Sequence, residues 1–454
     1  MRRFPKNTME RTNSIHSAAS TRAPSIRNEE VPTMYSSRFT DGSASMKASR
    51  AMYIKGVAAG TLAVTIVMFC VFSIYWGALW KVPAHNLQGW IVDFDGSTVG
   101  NAVVQGLLSS SSSKVSWTER PSSDFSGGAE EVANLVVDQK TWIAVVVNSN
   151  ATVVLQSAVS AVNSSYNGTE AISVYAVEAR NENAYRSLIR PSVQTSLAAI
   201  TQTFAQSFLQ QVASSSPNAL VSISTTAPQV LTEPIGYTLN NLRPFDIPVA
   251  SAVTFVGLIY VLVLSFFIVT FSSVARQQSG LETTLTTGSL IRVRLASSFI
   301  AYFALSLFYS LLSLAFQVDF SRVLGRSGFV VFWMANYVGM LAVGLALEAM
   351  VTLMTLRFVP FFMILWIIVN VAVCFMPIDV LPHIYRYGYA FPFYNISGAV
   401  RTIIFGTKNE LSLHFGILLA WVAISVITIP LFQWFMRRKP LAESRRTQAA
   451  VEKA

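Results

Sequence analysis

Charge is what this sequence has least of. Asp, Glu, Lys and Arg make up 12% of its 454 residues, about half the share of an ordinary soluble domain. Hydrophobic residues make up 52%, and mean hydropathy is +0.47. That balance excludes a simple soluble globule and points to lipid. Cysteine is nearly absent: Cys70 and Cys374 both fall in apolar runs, so the polar middle of the chain holds no disulfide. The four histidines, His16, His85, His383 and His414, lie in separate segments and form no metal-ligand spacing. The patterns GxxxxGK[ST], HExxH and GxSxG are missing. No ATPase, zinc protease or serine hydrolase chemistry is therefore expected, and no cofactor.

The net charge of +10 is not spread evenly. The first 55 residues hold ten Lys/Arg against four Asp/Glu, and residues 437–454 hold six against two. Residues 81–246 reverse this, with eight against twelve. Basic ends around an acidic middle fit a membrane protein, not a nucleic-acid binder.

Apolar runs of about 20 residues are long enough to span a bilayer as helices. Charges bracket six of them, at about 55–80, 247–273, 295–317, 329–356, 358–378 and 411–436. Pro248 and Pro360 suit first-turn positions. The expected fold is thus a multi-pass α-helical membrane protein with six spans. Both basic tails, 1–54 and 437–454, are expected in the cytoplasm by the positive-inside rule. Residues 81–246 then form an inserted extracytoplasmic α/β domain between the first two spans. Four glycosylation sequons, at Asn150, Asn163, Asn167 and Asn395, all fall in segments placed outside. Chance gives about that number in a chain so rich in Ser and Thr; only their side carries weight.

The N-terminal tail is rich in Ser, Thr and Arg without apolar period and reads as disordered. RTNS and RAPS place Arg three residues before Ser14 and Ser25, which are phosphorylation candidates; the plainer reading is a solvated basic tail beside anionic lipid. In the polar middle, GWIVDF (89–94), TWIAVVV (141–147) and AISVYAV (171–177) read as strands. NAVVQGLL, EEVANLVVDQ and TVVLQSAVSAV read as helices, followed by a long helical region at 181–213. Alternating strands and helices suggest a compact α/β domain. Asp93 and Asp95 in DFDG could pair for acid/base work, but a strand ending in an Asp-Gly turn explains them as well.

Within the spans, Glu348 in GMLAVGLALEAM is the sharpest candidate, since intramembrane acids are costly and mark ion or substrate paths. An interfacial Glu paired with a cation is the rival reading. Asn336 and Asn370 are weaker versions of the same signal, and Gly339, Gly344 and Ala346 fit close helix packing. Residues 381–406, with Arg386, Tyr394 and Arg401, are too apolar for a plain loop and too charged for a span. A re-entrant or interface-lying segment fits them.

The strings SIYWGALWKVPAHNLQGWIVDFDG, WIAVVVNSNATV, NYVGMLAVGLALEAM and YGYAFPFYN resemble the fungal nitrosoguanidine-resistance membrane protein family, over about residues 51–438. The span order is also similar to membrane domains of ABC-type exporters and phage-infection-like proteins. The first resemblance implies a plasma-membrane protein linked to resistance to a toxic nitroso compound, with an endoplasmic reticulum or other secretory membrane as the alternative. The second implies an exporter-like role and a homodimer, by architecture alone. The function expected is extrusion of drug or lipid-like substrates. A non-transporting regulator of membrane lipid homeostasis and stress signalling is the alternative. Membrane lipids and proteins at the cytoplasmic tail are the expected partners. An enzyme would rest on Asp93 and Asp95 alone and is not expected.

Overall fold

The computed structural model describes residues 35–110, 114–215 and 217–451. The chain divides into two units, Met1–Thr65 and Ile66–Ala454.

The first unit contains the start of helix α1 (Ala44–Leu79). The Ser43 hydroxyl accepts the Met46 N–H at 3.3 Å, a side-chain cap that fixes this start. The helix therefore begins eleven residues before the boundary expected at 55. Met52, Tyr53, Ile54 and Leu62 are all exposed. From Gly56 to Thr65 the helix carries no charge and buries no residue, an apolar surface suited to a lipid environment.

The second unit opens on a five-stranded sheet: β1 (Leu87–Asp93), β2 (Val115–Arg120), β3 (Ile143–Val147), β4 (Ile172–Ala176) and β5 (Tyr237–Asn241), in the order β2-β1-β3-β4-β5. All neighbours are parallel except β3 and β4. Helices α2 (Thr98–Leu108), α3 (Gly128–Val137), α4 (Ala151–Ala161) and α5 (Arg190–Ser215) make the connections. Central β3 shows why IAVVV is an unbroken apolar run. Ile143, Val145 and Val147 enter the core on one face, and Ala144 and Val146 enter the core on the other. Asp93 and Asp95 serve the turn after β1. Asp93 accepts the N–H groups of Asp95 and Gly96, while Asp95 accepts the Thr152 N–H at 2.9 Å and its hydroxyl at 2.6 Å. The Thr152 hydroxyl in turn accepts the Val99 N–H. DFDG and NSNATV thus clamp the first turns of α2 and α4 together, which accounts for the pair without acid/base chemistry.

Among the described residues, five helices are long and apolar enough to cross a membrane. They are α1, α6 (Pro248–Gln278), α7 (Thr287–Ala315), Ser321–Met354, and the first part of α9 below, Leu411–Arg438. The fourth begins a helical trace, α8, that runs over Gly328–Val371. Straight, its residues 339 and 370 would lie about 46 Å apart. Yet a Cβ on Gly339 would sit 2.8 Å from Ile396, and Asn370 Oδ1 accepts the Phe393 N–H at 3.1 Å. Positions 393 and 396 are one turn apart, so α8 doubles back into two arms. The second arm, Phe358–Val371, is shorter than the other span candidates. The expected run 358–378 leaves the helix at Val371.

Helix α7 is turned inside out relative to a soluble helix. Ser298, Ser306 and Ser310 are buried, and Ile300, Phe308 and Leu312 are exposed. The serines return their hydroxyls to their own helix, as Ser310 does to the Ser306 carbonyl. Small inward residues let helices approach closely. A Cβ on Gly344 would come within 2.2 Å of the Tyr302 hydroxyl. After α8 come a 3-10 turn, His383–Ala390, then two more helices, α9a (Pro392–Phe405) and α9 (Leu411–Val451). Helix α9 carries on well past the boundary expected at 437. Twelve of the fourteen α9a residues are buried. The 3-10 turn before it buries only Tyr385 and Gly388, and His383, Ile384, Arg386 and Tyr389 are exposed.

Candidate functional site

The sheet region and the segment 372–406 meet through named polar contacts. Asn181 and Asn183 donate to the Phe375 carbonyl at 3.3 and 3.1 Å. Arg243 donates to the Gly406 carbonyl, capping the C-terminus of α9a. Arg401, buried, donates to Glu182 Oε2 at 2.6 Å and to the Ala179 carbonyl at 2.9 Å. Its Nε reaches Ser397 one turn earlier. Burial alone would raise the Glu182 carboxyl, but Arg401 more than reverses this, and it lies below the usual range.

Beside this joint stands a cluster around Asp379. Its Oδ2 accepts the Trp142 indole N–H at 3.1 Å, and its Oδ1 accepts the Tyr389 hydroxyl at 3.0 Å. Arg180 approaches Oδ2 at 3.5 Å and lies 3.4 Å from the centroid of the Trp142 ring, with Nη1 donating to the Thr141 carbonyl. Burial pulls the Arg180 guanidinium down and Asp379 offsets part of this, leaving it at about 10, so it remains charged at neutral pH. Two cavities lie beside this cluster and share it as lining, together with Gln139 and Ile378. The inner one, about 90 Å³, is lined by Tyr394, Arg401, Lys408, Glu410 and His414. The outer one, about 560 Å³, is lined by His85, Lys140, His383 and Arg386. Trp142, Arg180, Asp379 and Tyr389 border both.

Arg386, Tyr394 and Arg401 therefore come to one joint, with Arg386 in the outer cavity and the other two in the inner one. Sequence reasoning missed Arg180, Trp142 and Asp379. Asp379 is visible only as the acid that ends an apolar run, and Arg180 as one charge in EARNEN. Nothing in their spacing, some 200 residues apart, announces the contact.

Glu348 lies elsewhere, inside the helix bundle. It is 1% exposed. Its Oε1 accepts Arg294 Nε at 2.7 Å and Arg276 Nη2 at 2.9 Å. Arg294 also donates to Gln433, to Thr352 and to the Glu348 carbonyl. Arg276 lies 3.5 Å from Glu282. The acid expected to mark a path is paired with two cations, as the rival reading expects, but it lies inside the bundle and not at an interface. Asn336 donates back to the Phe332 carbonyl of its own helix. Asn370 donates to the Trp366 carbonyl and accepts from Phe393, capping the start of α9a from another helix.

Asn150, Asn163 and Asn167 are exposed in the sheet region. Asn395 corrects the expectation of a fourth glycan. It is 1% exposed, its amide donates to the Tyr389 and Phe391 carbonyls, and its Oδ1 lies 3.0 Å from His414 Nδ1. A glycan has no room there in the folded chain. Ser14 and Ser25 lie outside the described residues.

Comparison with known proteins bears on the whole arrangement. The profile of a family described as "Protein of unknown function (DUF3533)" matches residues 61–427. An uncharacterized endoplasmic reticulum membrane protein of Saccharomyces cerevisiae is 30% identical over 332 residues, which covers 68% of this chain and 62% of the relative. The chain thus spans less than two thirds of that relative's length. No solved structure matches.

Proposed function

The chain belongs to the DUF3533 family, a membrane protein family of unknown function, and from that premise we propose that it is an exporter-like protein that takes amphiphilic compounds at the joint between its sheet region and its membrane helices. In this reading the chain crosses the membrane six times, with α8 supplying two passes. Both tails are cytoplasmic and the sheet region faces away from the cytoplasm. Its effect is to lower the load of toxic or lipid-like compounds, nitrosoguanidine among them. The compartment is a secretory-pathway membrane, either the plasma membrane or the endoplasmic reticulum named for the yeast relative.

The observation that supports this reading is the polar cluster that lines both cavities at the joint. Trp142, Arg180, Asp379 and Tyr389 come from both sides of the joint, so a relative movement of the two sides opens or closes it. The test is flux of a fluorescent short-chain lipid and of nitrosoguanidine in reconstituted vesicles. Wild-type protein should exceed empty vesicles, and Arg180→Gln should lower the excess. Flux equal to that of empty vesicles sinks the reading.

A second reading, a non-transporting regulator of lipid homeostasis, is favoured by the sealed state of Glu348. A carboxylate held by two guanidiniums offers no ready proton path through the bundle. Deleting residues 1–47 discriminates. A regulator acting through its tail loses its resistance effect, whereas a carrier largely keeps it.

A further inference from the structure

The two cavities differ in charge. In the inner cavity each cation has an acid: Arg401 holds Glu182, Lys408 holds Glu410, and Arg180 faces Asp379. The outer cavity is unbalanced. Lys140, Arg180 and Arg386 line it against one acid, Asp379. That acid already receives Trp142, Tyr389 and Arg180. Among the described residues no ion pair holds Lys140 or Arg386. The His85 and His383 rings, tilted at 31° with centroids 4.4 Å apart, add ring N–H donors. At about 560 Å³ the cavity has the size of a small-ligand site.

The geometry points to a phosphate-binding site in this cavity, held by Lys140 and Arg386 with Arg180 as its inner wall. Guanidinium and ammonium groups lining one cavity with donor rings suit phosphate oxygens, and charge-assisted hydrogen bonds give such contacts their strength. Two sources share that chemistry, the headgroup of a membrane lipid and a soluble phosphate ester. The surroundings favour the lipid. Ile384, 76% exposed, follows His383 directly, and exposed Tyr389 closes the same 3-10 turn. These apolar surfaces offer acyl chains a place beside a phosphate at headgroup depth. The inference rests on the proposed function, because it places this joint at the membrane surface away from the cytoplasm.

The test is binding to the purified full-length protein in detergent, with no gradient or flux involved. The probes are dihexanoyl phosphatidic acid, inorganic phosphate and uncharged dihexanoyl glycerol. Wild type should bind phosphatidic acid at least tenfold more tightly than the double variant Lys140→Gln/Arg386→Gln. Lys140→Arg, which keeps the charge, should retain binding. Both side chains are exposed, so unfolding temperatures should agree and serve as an internal check. Inorganic phosphate that competes on equal terms assigns the site to a soluble ester; phosphate that competes weakly assigns it to the lipid. Equal affinity of wild type and double variant for phosphatidic acid, or equal affinity for dihexanoyl glycerol, overturns the site. Binding without vesicle flux retires the transport reading and keeps the site. Flux without binding does the reverse.

Discussion

Glu348 shares one carboxylate oxygen between two guanidiniums from separate helices, and its worth follows from that. Removing one member of a buried charge cluster leaves the others uncompensated, at a cost of about 3–5 kcal/mol. Glu348→Gln should therefore lower the unfolding temperature in detergent sharply. Asn336→Leu, which loses a bond to its own helix and a longer one to Ser310 of α7, should cost about 1 kcal/mol. Equal effects would show that the cluster is not the lock described here. The acid itself was legible in the sequence as a lone charge in an apolar run. Its partners were not, because Arg276 and Arg294 read as ordinary charges at the cytoplasmic edges of their runs. Only the packing of three helices shows that these edges converge on residue 348.

Strands and helices were legible to different degrees. TWIAVVV announces β3 because a strand covered on both faces is apolar at every position. VSWTER and YTLNN do not announce β2 and β5, because edge strands are half exposed and keep polar residues. The α8 hairpin was legible as two apolar runs separated at Arg357. What was not legible is how closely its arms pack. Gly344→Val should push Tyr302 away and cost about 1–3 kcal/mol, seen as a lower unfolding temperature; Gly416→Val, where a Cβ meets nothing, should cost far less. The Arg401–Glu182 pair joins α9a to the sheet region and gives that joint a pH dependence. The folded Glu182 carboxyl lies below its ordinary value of about 4.3, so the pair stabilises fully above that pH. The stabilisation is lost as pH falls through the lower folded value. Limited proteolysis near residue 182 should rise on acidification below about pH 4.3, and Glu182→Gln should abolish that rise.

For the whole molecule, the question is sidedness. The proposed topology puts Asn150, Asn163 and Asn167 where glycans are added. Glycosidase treatment of protein from its native host should shift its mobility, and Asn163→Gln/Asn167→Gln should remove most of the shift. No shift in the wild type would undo the assignment of the sheet region to the extracytoplasmic side. Asn395→Gln should leave the shift unchanged, since that side chain is packed against His414.

That buried sequon also sets an order of events during synthesis. Glycans are added to chains that have not finished folding, and NIS at residues 395–397 is an acceptor pattern until its helix is covered. In the proposed topology, cover by α9 before the transferase reads the segment keeps Asn395 free of a glycan that the closed joint has no room for. A variant that delays sealing, such as His414→Ala, should acquire one extra glycan in the fraction that fails to mature. The same site then acts as a clock for assembly, recording in glycan mass how long the joint stayed open.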